Sequence, residues 1–134
     1  MKDLAQIIGW IVAWGFCVAF LNFVLKFVNR NYVTKLPKEK RKAVDIYRLV
    51  MKYVIKYHKP IGIITALTVI THFTLMSLFV KVSVTGEAAM TIMLCTVLLG
   101  IYGAFINKNY KGKWLKVHRF FAFTLVILIG IHII

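Results

Sequence analysis

Two stretches of equal length decide how this chain folds: HKPIGIITALTVITH, residues 58–72, and HRFFAFTLVILIGIH, residues 118–132. Each begins and ends with a histidine, and these are the four histidines of the sequence. Both pairs are 14 residues apart, 72 minus 58 and 132 minus 118. On an α-helix this interval is about 40° short of four turns, so the members of each pair share one face, ~21 Å apart along the axis.

The composition is typical of a membrane protein. Hydrophobic residues make up 60% of the 134 residues and the mean hydropathy is +0.79, which is too apolar for an ordinary water-soluble domain. The formal net charge is +14, from 18 Lys plus Arg against 4 Asp plus Glu. Because the basic residues cluster between the apolar runs, membrane topology explains them better than nucleic-acid binding does.

Four apolar runs predict an all-α fold, a transmembrane four-helix bundle that forms a single integral-membrane domain over residues 1–134. Each run is close to the ~20 residues that a membrane-spanning helix needs. Asp3 precedes the first run and no small-residue cleavage site follows it closely, so we expect a permanent span rather than a cleaved signal peptide. The spans are predicted at about residues 5–28, 58–80, 88–106 and 114–134.

The segment between the first two spans predicts a basic amphipathic interfacial helix at the membrane surface. This helix is expected from Glu39 to Tyr57, and Pro60 is expected to start or kink the span that follows. The helix could attract anionic lipid, dock an acidic partner protein or serve only as a solvated connector. Its apolar stripe is expected to consist of Val44, Tyr47, Val50 and Val54.

The distribution of charge predicts the orientation of the spans. The basic loops at 29–59 and 107–113 belong on the cytoplasmic side of the cytoplasmic membrane, whereas the loop at 81–87 carries one Lys and one Glu. The amino terminus, the 81–87 loop and the carboxyl terminus are then outside. Spans two and four run in the same direction, so the first histidines of the two pairs are level with each other, and so are the second.

Two level pairs of histidines predict two bound haem b groups. Imidazole is the usual axial ligand of haem iron, and an ionisable side chain within a membrane helix indicates a functional site. The inner haem would be bound by His58 and His118, and the outer haem by His72 and His132. A single histidine of this kind is often only a hydrogen-bonded core residue, but four at two equal spacings favour ligation.

Small residues near the histidines are candidates for contact with the macrocycle. Gly62 and Ala122 each lie one turn after the first histidine of a pair, where a small residue leaves room for a porphyrin edge. Gly100 and Gly103 of the third span are expected beside the inner pair, although helix packing alone could explain them. One threonine of the 65–74 series could orient a histidine ring, or all could bond to carbonyls one turn earlier.

Basic residues near the inner pair are candidates for binding the haem propionates. Lys59 and Arg119 each follow a histidine directly, and Lys56 and Lys116 lie close by. Paired charges of this kind give strong hydrogen bonds. Positive-inside topology explains the same residues without a cofactor, and the sequence leaves both interpretations open.

The stretches His58-Lys59-Pro60-Ile61-Gly62 through His72 and Trp114-Leu115-Lys116-Val117-His118-Arg119 through His132 resemble the two ligand helices of the ferric reductase-like transmembrane domain. The arrangement as a whole resembles the four-helix diheme core of membrane cytochromes b. The resemblance covers spans two to four and implies electron transfer through two bis-histidine haems. The sequence contains no Gly-rich nucleotide loop, so electrons would come from another protein or a quinol.

Three functions stay open on the sequence alone. The first is transmembrane electron transfer, with membrane lipids and a redox partner protein or quinone as partners. The second is a membrane enzyme subunit that oxidises quinol or reduces ferric or other metal ions, so the sequence does not decide whether the chain is an enzyme. The third is a zinc or copper transporter, which the absence of acidic and cysteine co-ligands near the histidines disfavours.

Overall fold

The computed structural model describes residues 2–109 and 112–134, and over these residues it consists of helices joined by short turns. Two 3₁₀ turns connect α1 to α2, and a π-helical turn extends α3. The all-α prediction is confirmed for the described part of the chain. The four helices are α1 (Lys2–Asn31), α2 (Arg41–Phe79), α3 (Val84–Ile101) and α4 (Lys113–Ile133), and the turns are Val33–Lys35, Lys38–Lys40 and Tyr102–Ile106.

Each of the four helices is long and apolar enough to cross a membrane. Large apolar side chains cover much of their outer surface; Trp14 is 68% exposed and Leu78 is 69% exposed. A water-soluble protein would bury more of these side chains, whereas a surrounding of lipid makes their exposure favourable. The prediction of four helices able to span a membrane is therefore confirmed.

The predicted interfacial helix and the second span form one continuous helix, α2, with Pro60 inside it. Proline removes one backbone hydrogen bond, but α2 stays packed along α1 on both sides of Pro60. On the amino-terminal side the Tyr47 hydroxyl donates to the Leu25 carbonyl at 2.7 Å, and on the other side Thr65 contacts Gly15. The expectation that a helix begins at Pro60 is wrong, because packing against α1 on both sides keeps α2 continuous, and a kink at Pro60 stays a prediction.

The first half of α2 turns a slightly different stripe toward α1 than the sequence predicted. Val44, Tyr47 and Val54 are partly buried as expected, but Val50 is 49% exposed and Met51 is partly buried in its place. The spacing of this stripe alternates between three and four residues, as required for one face of a helix of 3.6 residues per turn.

The start of α3 lies earlier than predicted. The helix begins at Val84 instead of residue 88, because the Ser83 hydroxyl caps it by accepting a hydrogen bond from the Gly86 backbone N–H at 3.1 Å. Glu87, assigned to the 81–87 loop by the sequence, lies in the first turn of α3, where its charge suits the helix dipole. The turn predicted at 107–113 includes residues 110 and 111, which lie outside the described residues.

The helices pack as two hairpins, with α1 along α2 and α3 along α4. Within the described residues the two histidine-bearing helices, α2 and α4, do not pack closely on each other. One apolar cluster joins all four helices, and its central residue, Leu125, is 1% exposed and seven residues from each histidine of α4. The cluster, which separates the two levels of histidines, comprises Val12, Phe16, Val69, Met93 and Leu125.

Replacement of Leu125 by Ala should destabilise the fold, because it leaves a cavity in the cluster that joins the four helices. We expect the free energy of unfolding to fall by about 2 kcal/mol. This is at the lower end of the range for a buried leucine, because lipid already solvates the apolar chain. The measurement is the thermal unfolding temperature in detergent. Leu78→Ala, at a position 69% exposed, is the matched control; equal effects of the two substitutions would contradict the assigned packing.

Candidate cofactor site: two facing histidine pairs

The inner pair, His58 on α2 and His118 on α4, faces across the space between the two helices. The centroids of the two imidazole rings are 6.4 Å apart, and the ring planes are inclined by 80°. A metal ion bound at ~2.0 Å by one nitrogen from each side, with each ring centroid ~1.1 Å behind its nitrogen, requires a separation of about 6.2 Å. The two rings are therefore spaced as two axial ligands of one metal would be.

The outer pair, His72 on α2 and His132 on α4, lines one cavity of about 430 Å³. This size lies within the range of pockets that hold small molecules and cofactors. The rest of the lining is mostly apolar and comes from all four helices, with Gln6, Met90 and Ile129 among its members. Because the first histidines pair with each other and the second histidines share this cavity, α2 and α4 run in the same direction.

Three of the histidines donate their Nδ1–H group to a main-chain carbonyl of the neighbouring helix. The acceptors are Ala19 for His58, Ala5 for His72 and Thr96 for His118, each at 2.9 Å. A carbonyl oxygen only accepts, so in the neutral ring Nδ1 carries the proton and Nε2 has the free lone pair. This is the tautomer and the support from a neighbouring group that metal-binding histidines need.

The fourth histidine, His132, is oriented by hydroxyl groups instead. Its Nδ1 lies 3.2 Å from both the Ser83 Oγ and the Thr85 Oγ1 atoms. Ser83 also caps α3, so the start of that helix and the ring of His132 are positioned together. Within the described residues, no hydrogen bond involves the Nε2 atom of any of the four histidines.

Of the two alternatives left open for the threonines of the 65–74 series, the structure shows bonding to carbonyls one turn earlier for three of them. Thr68, Thr71 and Thr74 donate to the carbonyls of Ile64, Leu67 and Ile70, one turn earlier. A threonine in an apolar helix satisfies its hydroxyl in this way when no other acceptor is within reach. The hydrogen-bond partners of the histidines belong instead to α1 and α3, and the sequence did not predict them.

Glycines allow three of the imidazole rings to approach the neighbouring backbone. A Cβ atom would lie 2.8 Å from the His72 ring at Gly9, 2.8 Å from the His132 ring at Gly86, and 3.4 Å from the His118 ring at Gly100. Gly100 is thus beside the inner pair, as predicted. Gly103 is not, because it lies against the ring of Trp114.

The two small residues predicted to leave room for a porphyrin edge, Gly62 and Ala122, are both half-buried. A Cβ atom at Gly62 would meet no protein atom within 4 Å, so the space beside this residue is open. The structure is compatible with the predicted role of Gly62, and the contact of both residues with a cofactor stays a prediction.

Three cations lie around the inner pair. Lys26 and Lys59 are within electrostatic range of His58, and Arg119 is within range of Lys26 and His118. The Arg119 guanidinium also lies over the Phe23 ring, 5.7 Å from its centroid. In the described part of the chain, none of the three forms an ion pair with a carboxylate, so the group lacks a counter-charge from the protein.

Lys26 was not predicted as a site residue, because nothing in the sequence connects it with a histidine 32 residues later. It lies near the end of the first predicted span, and only the packing of α1 along α2 brings it close to His58. Of the other two predicted basic candidates, Lys56 has its ammonium over the Tyr57 ring at 5.5 Å, and Lys116 is exposed.

Within residues 2–109 and 112–134 there is no group of three or more His, Cys, Asp or Glu side chains that could hold a metal ion. Structural zinc sites use four such ligands and catalytic sites use three. Cys17 and Cys95 are free thiols on different helices, α1 and α3. Any metal bound by the histidine pairs would therefore receive two protein ligands at each level.

Comparisons with protein-family models, with curated proteins and with solved structures find no match for this chain. The class of the protein consequently follows from its own fold and site. Over the described residues it is all helical, and each of its four helices can span a membrane. One pair of histidines from α2 and α4 lies ring to ring, and the second pair lines one cavity.

A methyl group at Gly9 should disturb the His72 ring, whereas the same change at Gly130 should not. Gly9→Ala brings a Cβ atom against a ring fixed by its hydrogen bond to the Ala5 carbonyl, and we expect the free energy of unfolding to fall by about 1–2 kcal/mol. Gly130 has open space, so Gly130→Ala should gain ~0.5–1 kcal/mol from helix propensity. Thermal unfolding measures both; a stabilising Gly9→Ala would contradict the contact.

Proposed function

We propose that this chain is a membrane electron-transfer protein that binds two haem b groups. His58 and His118 would hold the inner haem, and His72 and His132 the outer haem. The observation that carries the proposal is the separation of 6.4 Å between the His58 and His118 ring centroids, which suits one metal between them. When bound, each haem supplies one iron-centred one-electron couple.

The arrangement of the ligands favours a metal in a macrocycle over a bare metal ion. Each level offers two imidazoles, and no third donor completes either set within the described residues. A porphyrin brings four nitrogen ligands in its own plane and needs only two axial ligands from the protein. The open space between α2 and α4, the space beside Gly62 and the cavity of about 430 Å³ are where such a plane would fit.

Occupation of both axial positions by histidine favours electron transfer over chemistry at the iron. Two protein ligands leave no coordination position for oxygen or another substrate. The outer cavity also has no carboxylate among its described lining residues to relay protons from a quinol. The same features agree with the resemblance to diheme membrane cytochromes b, and they make quinol oxidation or metal reduction by this chain the second choice.

The charge distribution supports a single orientation in the membrane. Sixteen of the 18 Lys and Arg residues lie in 26–59 and 108–119, which meet at one end of the helices. We propose a four-helix bundle in the cytoplasmic membrane with this end in the cytoplasm and both termini outside. The inner pair is then near the cytoplasmic surface, and the basic amphipathic part of α2, residues 41–57, extends from that surface into the cytoplasm.

Each part of the site has a distinct task in this proposal. The carbonyls of α1 and α3 keep three histidine rings in the metal-binding tautomer. Lys59, Arg119 and Lys26 would neutralise the propionates of the inner haem, since they lack a carboxylate partner in the described chain. The apolar cluster around Leu125 excludes water between the two levels.

Replacement of His72 by Ala should remove the outer haem and leave the inner one. The outer site would have one ligand, His132, whereas the inner pair is unaffected because the Leu125 cluster separates the two levels. The haem content of the purified protein should fall from two per chain to one. Thr71→Ala, at an exposed neighbouring position, is the control; two haems per chain in the His72→Ala protein would exclude this ligand assignment.

Replacement of Arg119 by Gln should lower the midpoint potential of one haem by tens of millivolts. A cation near a haem favours the reduced state, which carries one positive charge fewer, so its removal favours the oxidised state. A potentiometric titration of the haem absorbance gives the two potentials. Lys2→Gln, at the opposite end of the helices, is the control; equal shifts by both variants would argue against a place for Arg119 beside the inner haem.

A further inference from the structure

The amino-terminal part of α2 projects beyond the other histidine helix. His58 and His118 are level with each other, yet α2 begins 17 residues before His58 and α4 only five residues before His118. The difference of 12 residues corresponds to a projection of about 18 Å. The carboxyl-terminal part of α1 accompanies it, as the hydrogen bond from Tyr47 to Leu25 shows.

The projecting part of α2 carries an apolar face that nothing in the described chain covers. Its side chains are at spacings of three, one, three and four residues, so they share one face of the helix. They point away from the stripe that packs against α1. This exposed apolar stripe consists of Ile46 (64% exposed), Leu49 (53%), Val50 (49%), Tyr53 (54%) and Tyr57 (46%).

The bilayer is too thin to cover the amino-terminal half of this stripe. From Ile46 to Leu78, the exposed apolar residue near the other end of α2, the helix rises about 48 Å. The hydrocarbon layer takes ~30 Å, and an ordinary tilt of ~20° adds ~2 Å. Roughly 16 Å of apolar surface is left at the amino-terminal end, and the headgroup layer accounts for only about 5–7 Å of it.

A basic face runs beside the exposed apolar stripe. Arg48, Lys52 and Lys56 are exposed along the same helix, and Asp45 is the acidic residue among them. An apolar centre with a rim of cations is complementary to an apolar patch surrounded by carboxylates. The aromatic rings of Tyr53 and Tyr57 are of the type that contributes most to binding at such interfaces.

We propose that the exposed apolar stripe and its basic flank dock an acidic, water-soluble one-electron carrier protein. The surface extends from residue 46 to Tyr57, which directly precedes His58, so a docked carrier would lie beside the inner histidine pair. The acidity of the partner follows from the basic residues beside the stripe, and its solubility in water follows from the length of α2. Its role as an electron carrier rests on the proposed function.

The test uses the full chain in phosphatidylcholine nanodiscs, with reduced flavodoxin and a plant-type ferredoxin as acidic carriers and cytochrome c as a basic carrier. Affinities are measured at low and high salt, ~20 and ~200 mM. We expect both acidic carriers to bind with an affinity that falls at high salt, and cytochrome c not to bind. Binding of all three carriers with equal affinity would overturn the proposal.

Two pairs of matched variants separate the contributions of the surface. Ile46→Ala with Tyr53→Ala should weaken binding of the acidic carriers by ~10-fold or more, whereas Leu67→Ala with Leu78→Ala, exposed elsewhere on α2, should not. Arg48→Gln with Lys52→Gln should weaken it similarly and reduce its salt dependence, whereas Lys2→Gln with Lys81→Gln should not. The proposal would be overturned if the acidic carriers bound with unchanged affinity to the protein with Ile46→Ala and Tyr53→Ala, or to the protein with Arg48→Gln and Lys52→Gln.

A labelling experiment distinguishes protein from lipid as the cover of the stripe. In a background in which Cys17 and Cys95 are replaced by Ala, the thiol introduced by Leu49→Cys should react with a water-soluble maleimide and become protected when flavodoxin is added. Protection without any carrier would show that the bilayer covers the stripe, and would overturn the proposal.

The affinity and the haem content are measured separately, so the two proposals fail independently. If the carriers bind but the protein contains no haem, the proposed function is wrong and the docking surface is retained. If the protein contains two haems per chain but binding does not depend on the stripe, the docking surface is wrong and the proposed function is retained.

Discussion

Two imidazole rings on different helices face each other 6.4 Å apart, and the rest of the structure maintains this separation. The helices that carry the rings, α2 and α4, do not pack closely on each other within the described chain. Their contacts are instead with α1 and α3, which supply the carbonyls that fix three of the rings and the glycines that let three of them approach. Two helices thus carry the ligands, and the other two orient them.

Because two helices carry the histidines and the other two supply their hydrogen-bond partners, only part of the site could be predicted from the sequence. The equal spacing of the histidines fixes their faces on α2 and α4, and the basic loops fix the relative direction of those helices, so the inner pair could be predicted. The partners of Nδ1 could not, because Ala5, Ala19 and Thr96 contribute main-chain oxygen atoms that any residue could supply. The glycines signal them only weakly: Gly9 and Gly100 each lie four residues after an acceptor.

Two of the differences between the sequence predictions and the structure have a common physical cause, which is the packing of one helix along another. Pro60 should end a helix in isolation, but contact with α1 on both sides of it keeps α2 continuous. Lys26 becomes a neighbour of His58 for the same reason. Because α2 is continuous, its amino-terminal part extends past the first residue of α4 and leaves an exposed apolar face.

The central claim is that each facing pair of histidines binds one haem from both sides. The most direct measurement is a reduced-minus-oxidised spectrum of the unmodified protein, with haem quantitation and addition of carbon monoxide to the reduced form. The account predicts two low-spin haems b per chain and no spectral change with carbon monoxide, because no axial position is open. Absence of haem after expression with ample haem, or carbon monoxide binding at both irons, would contradict it.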